Sequence, residues 1–297
     1  MKKILMCIPA LVLAALLYVV VQQELSTANQ IPQEEPQSAQ TYQTPVIVQP
    51  DAGLNSGNHD AETIDTNAGR PAPQKTALPL DLENSSDYPA FFLHIADESS
   101  MNHELQEYTP EQVHQDGNTF QFTADQLDGK YVSGKVESMF GFLYGSITFR
   151  VTNINNPGLF PAIWMLPAQS GLYPELDIYE QLGREPQNFY GVSHFLTGPS
   201  AELDHYRTYF KYSFPMPEQI PESYTITFDW QPNAMSWYLD GEPVYTMAEH
   251  VPQMPMYLII NLAVGGIWSG DPTEDTVLPC TWTVEVLDFQ PQEIYTR

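Results

Sequence analysis

Three carboxylates stand in one short apolar run, Glu175-Leu-Asp-Ile-Tyr-Glu180. Strict alternation along a strand would put Glu175, Asp177 and Tyr179 on one face and turn Glu180 to the other. One extra residue between Asp177 and Glu180, a bulge, returns all three acids to a common face. Acids so placed can divide acid–base chemistry between them, because the middle charge raises the proton affinity of its neighbours and helps one stay protonated. Cleavage of a glycosidic bond with retention needs two such carboxyls about 5 to 5.5 Å apart. The rival reading is an acidic strand facing solvent. The run Gly158-Leu-Phe-Pro-Ala-Ile-Trp-Met-Leu-Pro167 just before it favours chemistry, since aromatic rings beside paired acids suit the C–H faces of sugars. Core packing is the alternative fate of Trp164.

The elements that must carry these residues read as short strands. Aromatic and β-branched runs broken by Gly, Pro, Asn and Asp predict strands at 119–123, 131–139, 145–151, 162–166, 176–181, 189–194, 206–214, 224–230, 235–239, 256–263 and 281–289. Tyr224-Thr-Ile-Thr-Phe-Asp-Trp230 alternates with period two, and Asp240-Gly241 is a hairpin signal. No stretch has the pattern of a long amphipathic helix. Many short strands with frequent turns predict an all-β fold, an antiparallel β-sandwich.

The chain carries 11 Lys and Arg against 37 Asp and Glu, a formal charge of -26. Nucleic acid is excluded as a partner, because phosphate binding needs clustered cations. Most of the surface would also repel an anionic polysaccharide, so a neutral substrate fits the overall charge. Of the two cysteines, Cys7 lies in an N-terminal apolar run and Cys280 is left alone, so neither a disulfide nor a zinc cluster is expected in the body of the chain. Met-Lys-Lys followed by Ile4–Val21 has the form of an export signal, with Ser26-Thr-Ala28 as small residues for cleavage. Residues 1–28 are therefore expected to be a signal peptide or a membrane anchor. Residues 29–82, rich in Pro, Gln and Asn, read as a disordered linker. Residues 83–297 read as the catalytic domain, secreted or held outside the membrane, monomeric, and touching the membrane only through the N-terminal segment.

Across 102–289 the sequence resembles glycoside hydrolase family 16, the laminarinase and lichenase group. The resemblance rests on Gly158–Pro167, on Glu175–Gly183, and on Asn102-His-Glu-Leu-Gln-Glu-Tyr-Thr109. It rests further on Tyr131-Val-Ser-Gly-Lys135, Trp230-Gln-Pro232, Trp237-Tyr-Leu-Asp-Gly241 and Asn261-Leu-Ala-Val-Gly-Gly-Ile-Trp268. It implies a β-jelly roll with a concave carbohydrate cleft and retaining hydrolysis of internal β-1,3 or mixed β-1,3-1,4 bonds in a glucan. By position, Glu175 would be the nucleophile, Glu180 the acid/base, and Asp177 an assistant between them. Tyr179 would be the extra residue of the bulged strand, the form that favours β-1,3-glucan. Asn102, Glu104, Phe160, Trp164, His194 and Trp268 match positions near the sugar. No cofactor is required; relatives often hold a structural calcium, and Glu285 stands near that place without further support for the ion.

The sequence departs from the pattern at three places. Phe160 and Ile267 replace a Trp and an Asn, and the opening strand is missing unless Phe91-Phe-Leu-His94 shortens it. Two other classes stay beside the hydrolase. One is a non-catalytic β-glucan-binding protein. The other is a relative that transfers glycosyl units or acts on another β-linked glucan or galactan.

Overall fold

The structure, a computed structural model of the 297-residue chain, describes residues 46–48, 72–76, 92–97, 102–169, 171–197, 204–216 and 220–297. The chain falls into two compact units, Met1–Tyr42 and Gln43–Arg297. The first unit, with the expected export segment, lies outside the described residues. So does most of the stretch read as a linker.

The second unit is built from strands. In chain order they are β1 (Val46–Val48), β2 (Lys75–Thr76), β3 (Phe92–His94), β4 (Gln106–Tyr108), β5 (Val113–Asp116) and β6 (Thr119–Leu127). There follow β7 (Lys130–Ser133), β8 (Lys135–Thr152), β9 (Leu159–Pro167), β10 (Glu175–Glu180), β11 (Asn188–Thr197) and β12 (Asp204–Ser213). The last are β13 (Ser223–Gln231), β14 (Ala234–Leu239), β15 (Glu242–Met247), β16 (Met256–Val264) and β17 (Cys280–Thr296). The only helical piece among the described residues is the 3-10 turn Pro110–Gln112.

Antiparallel pairing joins β12, β11, β10, β9, β16 and the first half of β8 into one sheet, with β3 beside β8. The second half of β8 pairs with β13 and β17 in another sheet, which β14, β15, β6 and β5 complete. The two sheets face each other as a jelly-roll sandwich. Alternation drives the burial. In β13, Tyr224, Ile226, Phe228 and Trp230 point into the core, and the residues between them do not. Trp230, Trp237, Trp282 and Tyr179 are the bulkiest fully buried side chains. The β14–β15 hairpin closes through Asp240 at φ 49° and Gly241 at φ 84°, the positive pair of a type I′ turn.

Strand β8 belongs to both sheets. Patterning predicts separate strands at 131–139 and 145–151, but the break falls at Gly134 and β8 runs unbroken from there. The stretch Phe140-Gly-Phe-Leu-Tyr-Gly145 lacks alternation because it turns the corner between sheets. Tyr144 has φ 59° and Gly145 φ 127° there. A Cβ on Gly145 would lie 2.2 Å from the Gln290 carbonyl oxygen in β17. Two short strands also fall inside 29–82. β1 pairs with β12, and β2 pairs with the end of β17, where Lys75 meets Glu293 at 2.6 Å. Edge pairing of this kind uses backbone groups rather than apolar side chains, so composition does not announce it.

Replacing Gly145 by Ala is expected to destabilise the sandwich by about 2 to 4 kcal/mol, through backbone strain and the clash with β17. Urea unfolding measures it, and an unchanged midpoint would show that the corner relaxes freely.

Candidate active site

The cleft is set by an irregularity in β10. Against β9, Asp177 faces Trp164 and Tyr179 faces Ile163, so Ile178 is the extra residue. Against β11, Asp177 faces Val192 and Glu180 faces Tyr190. From sequence the extra residue is Tyr179; in the β9 register it is its neighbour. The two consecutive side chains of Ile178 and Tyr179 both enter the core, with Leu176. Glu175, Asp177 and Glu180 are thereby left together on the cleft.

Groups from elsewhere hold the bulge. The indole Nε1 of Trp237, in β14 of the opposite sheet, donates to the Ile178 carbonyl at 2.9 Å. The Tyr179 ring stacks on Trp282 at 6.1 Å and 8°, and its hydroxyl lies 3.0 Å from that of Tyr224. On β11, Gly191 sits where the register shifts. A Cβ there would stand 2.3 Å from the Phe210 ring and 3.1 Å from Trp237, so its lack of a side chain admits both rings.

The acids share one electrostatic environment. His194 lies across from Glu175, with Nε2 3.8 Å from Glu175 Oε1 and 3.4 Å from Asp177 Oδ2. Asp177 Oδ2 is buried, and its 3.4 Å contact with His194 is long for a hydrogen bond. His194 Nδ1 meets His205 Nε2 at 2.8 Å. Burial opposes the charge on His194, but Asp177 and Glu175 outweigh it and raise its pKa. Burial and then the Asp177 charge push Glu175 up to about 8, against the pull of His194. Its side chain stays 21% exposed, and water tempers that shift. Glu180 is raised well above the ordinary range by burial and by Asp177, Glu175 and Glu104, with Arg207 opposing. The His194 imidazole beside Glu175 makes Glu175 the easier of the pair to ionise, and Glu180 the one that keeps its proton.

Of the other sequence-predicted residues four line the same cleft, while His194 and Trp268 stand beside its lining residues and not among them. Asn102, Glu104, Phe160 and Trp164 line it. Burial pushes Glu104 up to about 7, against a hydrogen bond from Gln106 and the charge of Lys135. Trp164 Nε1 donates to Asn261 Oδ1 at 2.7 Å, and Asn261 Nδ2 to the Tyr108 hydroxyl at 2.9 Å. Trp268 stands 39% exposed, edge-on to Phe160 at 5.5 Å and to Tyr190 at 5.0 Å, with Arg184 holding its carbonyl. Ile267 beside it is 66% exposed. Sequence reasoning missed Asp97, Tyr108, Lys135 and Asn261 as lining residues. Asn261 and Lys135 open or end recognised motifs, but nothing in their type marks them as facing the cleft. Lys135 pairs with Asp97 at 2.9 Å, a contact between distant segments.

Glu175, Asp177 and His194 offer possible ligand atoms within 4.8 Å of one another. Glu285, which stands near the place where relatives hold calcium, pairs with Arg150 at 2.5 Å.

Residues 100–283 match the family model for glycosyl hydrolases family 16. The chain is 31% identical over 182 residues to glucan endo-1,3-beta-glucosidase A1 of Niallia circulans, covering 52% of this chain and 26% of that protein. It is 29% identical over 169 residues to a glucan endo-1,3-beta-glucosidase of Cryptopygus antarcticus, covering 50% of this chain and 62% of that one. It thus spans less than two thirds of either relative. In fold it is similar to the laminarinase catalytic domain of Thermotoga maritima, with a TM-score of 0.57 and 24% identity over 70% of this chain and 92% of that one.

Carboxyls held above their unfolded pKa stabilise the fold fully at low pH and lose that contribution as pH rises through the folded value. With Glu175 at about 8 and Glu104 at about 7, melting temperature should fall between pH 5 and pH 8, and the raised His194 acts in the same sense. Glu180→Gln should flatten that decline and stabilise the chain at pH 8 by roughly 1 to 3 kcal/mol. A flat wild-type profile would show that the acids ionise without cost. Trp237→Phe leaves the bulge carbonyl without its donor and should cost about 1 to 3 kcal/mol by chemical denaturation.

Proposed function

This chain belongs to glycosyl hydrolases family 16, and from that membership and its cleft we propose that it hydrolyses internal β-1,3-glucosidic bonds with retention of configuration. The observation that carries the proposal is the split between two acids on one bulged strand. Glu175 has the His194 imidazole 3.8 Å away, which favours its charge, whereas burial among Asp177, Glu175 and Glu104 holds Glu180 well above the ordinary carboxylate range.

Glu175, the first to ionise, attacks the anomeric carbon and forms a glycosyl ester. Glu180 gives its proton to the departing oxygen as that bond breaks. Glu180, now a carboxylate, then takes a proton from water, and the water oxygen replaces Glu175 on the anomeric carbon. The two displacements restore the original configuration. Asp177 lies between them and holds His194, whose charge makes ionisation of Glu175 easier than burial and Asp177 alone would allow. No metal enters the reaction so written. Trp164, Trp268 and Phe160 present ring faces to the sugar, and Asn102 and Glu104 present polar atoms at the rim. The bulged strand and the names of the two relatives favour β-1,3 linkage; mixed β-1,3-1,4 glucan is the nearest alternative substrate.

Glu175→Gln should lower release of reducing ends from laminarin by about a thousandfold or more, with circular dichroism unchanged. Proton NMR of the first product should show the β-anomer. Undiminished turnover in the variant, or the α-anomer as first product, would refute the assignment.

A further inference from the structure

Among the described residues, six of the eight lysines and arginines are in ion pairs. Lys75, Lys130, Lys135, Arg150, Arg184 and Arg297 each have a carboxylate within 3.6 Å. Among the described residues, Arg207 and Lys211 are the two lysine or arginine side chains outside an ion pair, and both lie on β12. Phe210 and Tyr212 between and beyond them turn to the main core, whereas Tyr209 packs on the cleft side with Tyr190, Val192 and Phe160. Alternation therefore puts Arg207, Tyr209 and Lys211 on the cleft face together. Arg207 lies over the Tyr209 ring, 5.8 Å from its centre.

The register fixes where this row stands. Arg207 faces His194, which faces Glu175; Tyr209 faces Val192, which faces Asp177; Lys211 faces Tyr190, which faces Glu180. The row thus runs alongside the three acids two strands away, roughly 10 Å across the sheet. The carboxylate of Glu185, whose charge Lys211 also influences, is already satisfied by Asn188 at 3.0 Å and Tyr190 at 2.8 Å. An aromatic ring flanked by two cations that stand outside any ion pair, beside the bond-breaking acids, suits a sugar that carries negative charge.

We propose that Arg207, Tyr209 and Lys211 form a subsite for an anionic sugar, one bearing a uronic carboxylate or a sulfate ester, within the glucan chain. The proposal rests on the hydrolase reading and narrows its substrate class. The ring of that sugar rests on Tyr209, and its acidic group lies within reach of Arg207 or Lys211. The rest of the surface repels a polyanion, so the attraction is local and salt-sensitive.

Affinity for neutral laminarin oligosaccharides is to be compared with that for the same chains oxidised to uronic acids and for sulfated ones. Measurement on Glu175→Gln, which holds substrate without turnover, separates binding from cleavage. Either anionic form is expected to bind about tenfold more tightly than the neutral parent at low salt. The preference should vanish when Arg207→Gln and Lys211→Gln are added, and also in 0.5 M salt, at about half the low-salt Debye length or less. Preference for one form alone identifies the acidic group. Equal or weaker binding of both, or a preference that survives the double replacement, overturns the subsite. If wild type prefers the anionic chains yet cleaves none of the three, the hydrolase reading fails and the subsite stands.

Discussion

The hydrogen bond from the Trp237 indole to the Ile178 carbonyl joins the two sheets at the one place where β10 is irregular. A bulge spoils the backbone ladder, and a carbonyl left over inside a core must find a donor from somewhere. Here the donor comes across the sandwich from β14. The cleft depends on that link. Without the extra residue at Ile178–Tyr179, Glu180 would turn into an apolar interior and its partner acids would face it from the wrong side. Gly191, Tyr179 and Trp282 serve the same end, since they make room for the indole or fill the space around it. The jelly roll is in this sense a clamp on two residues.

That clamp works against an electrostatic load. Three carboxyls on one patch of β10 repel one another, and burial makes each charge dearer still. His194 relieves part of the strain from one side, backed by His205 at 2.8 Å. The remainder is a cost in stability at neutral pH, of the kind functional sites commonly carry. Among the described residues the other cations are balanced against nearby acids, which leaves the row on β12 distinct.

Much of this was legible beforehand because side-chain alternation and acid spacing are local signals. The strand Tyr224–Trp230, the Asp240-Gly241 turn and the three acids of β10 are all written in consecutive residues. What escaped depends on partners distant in sequence. The passage of β8 through Tyr144 and Gly145 shows only when β16 and β13 are seen on its two halves. The extra residue of the bulge is decided by the register of β9, not by β10 itself. Lys135 and Asn261 face the cleft because of the strands they sit on, and polar type alone does not tell which face that is. Strands β1 and β2 hang on backbone pairing to edges that composition cannot reveal.

Strand β17 lies in the middle of its sheet, with β8 on one flank and β6 on the other. Both neighbours come from residues 119–152, so more than a hundred residues intervene before their partner exists. A ribosome delivers those earlier strands with their hydrogen-bonding edges and apolar faces still open. Closure of the sandwich is therefore a late event in the birth of the chain. Until residues 280–296 are in place, β6 and the second half of β8 lack the strand they share, and topologies this non-local assemble slowly.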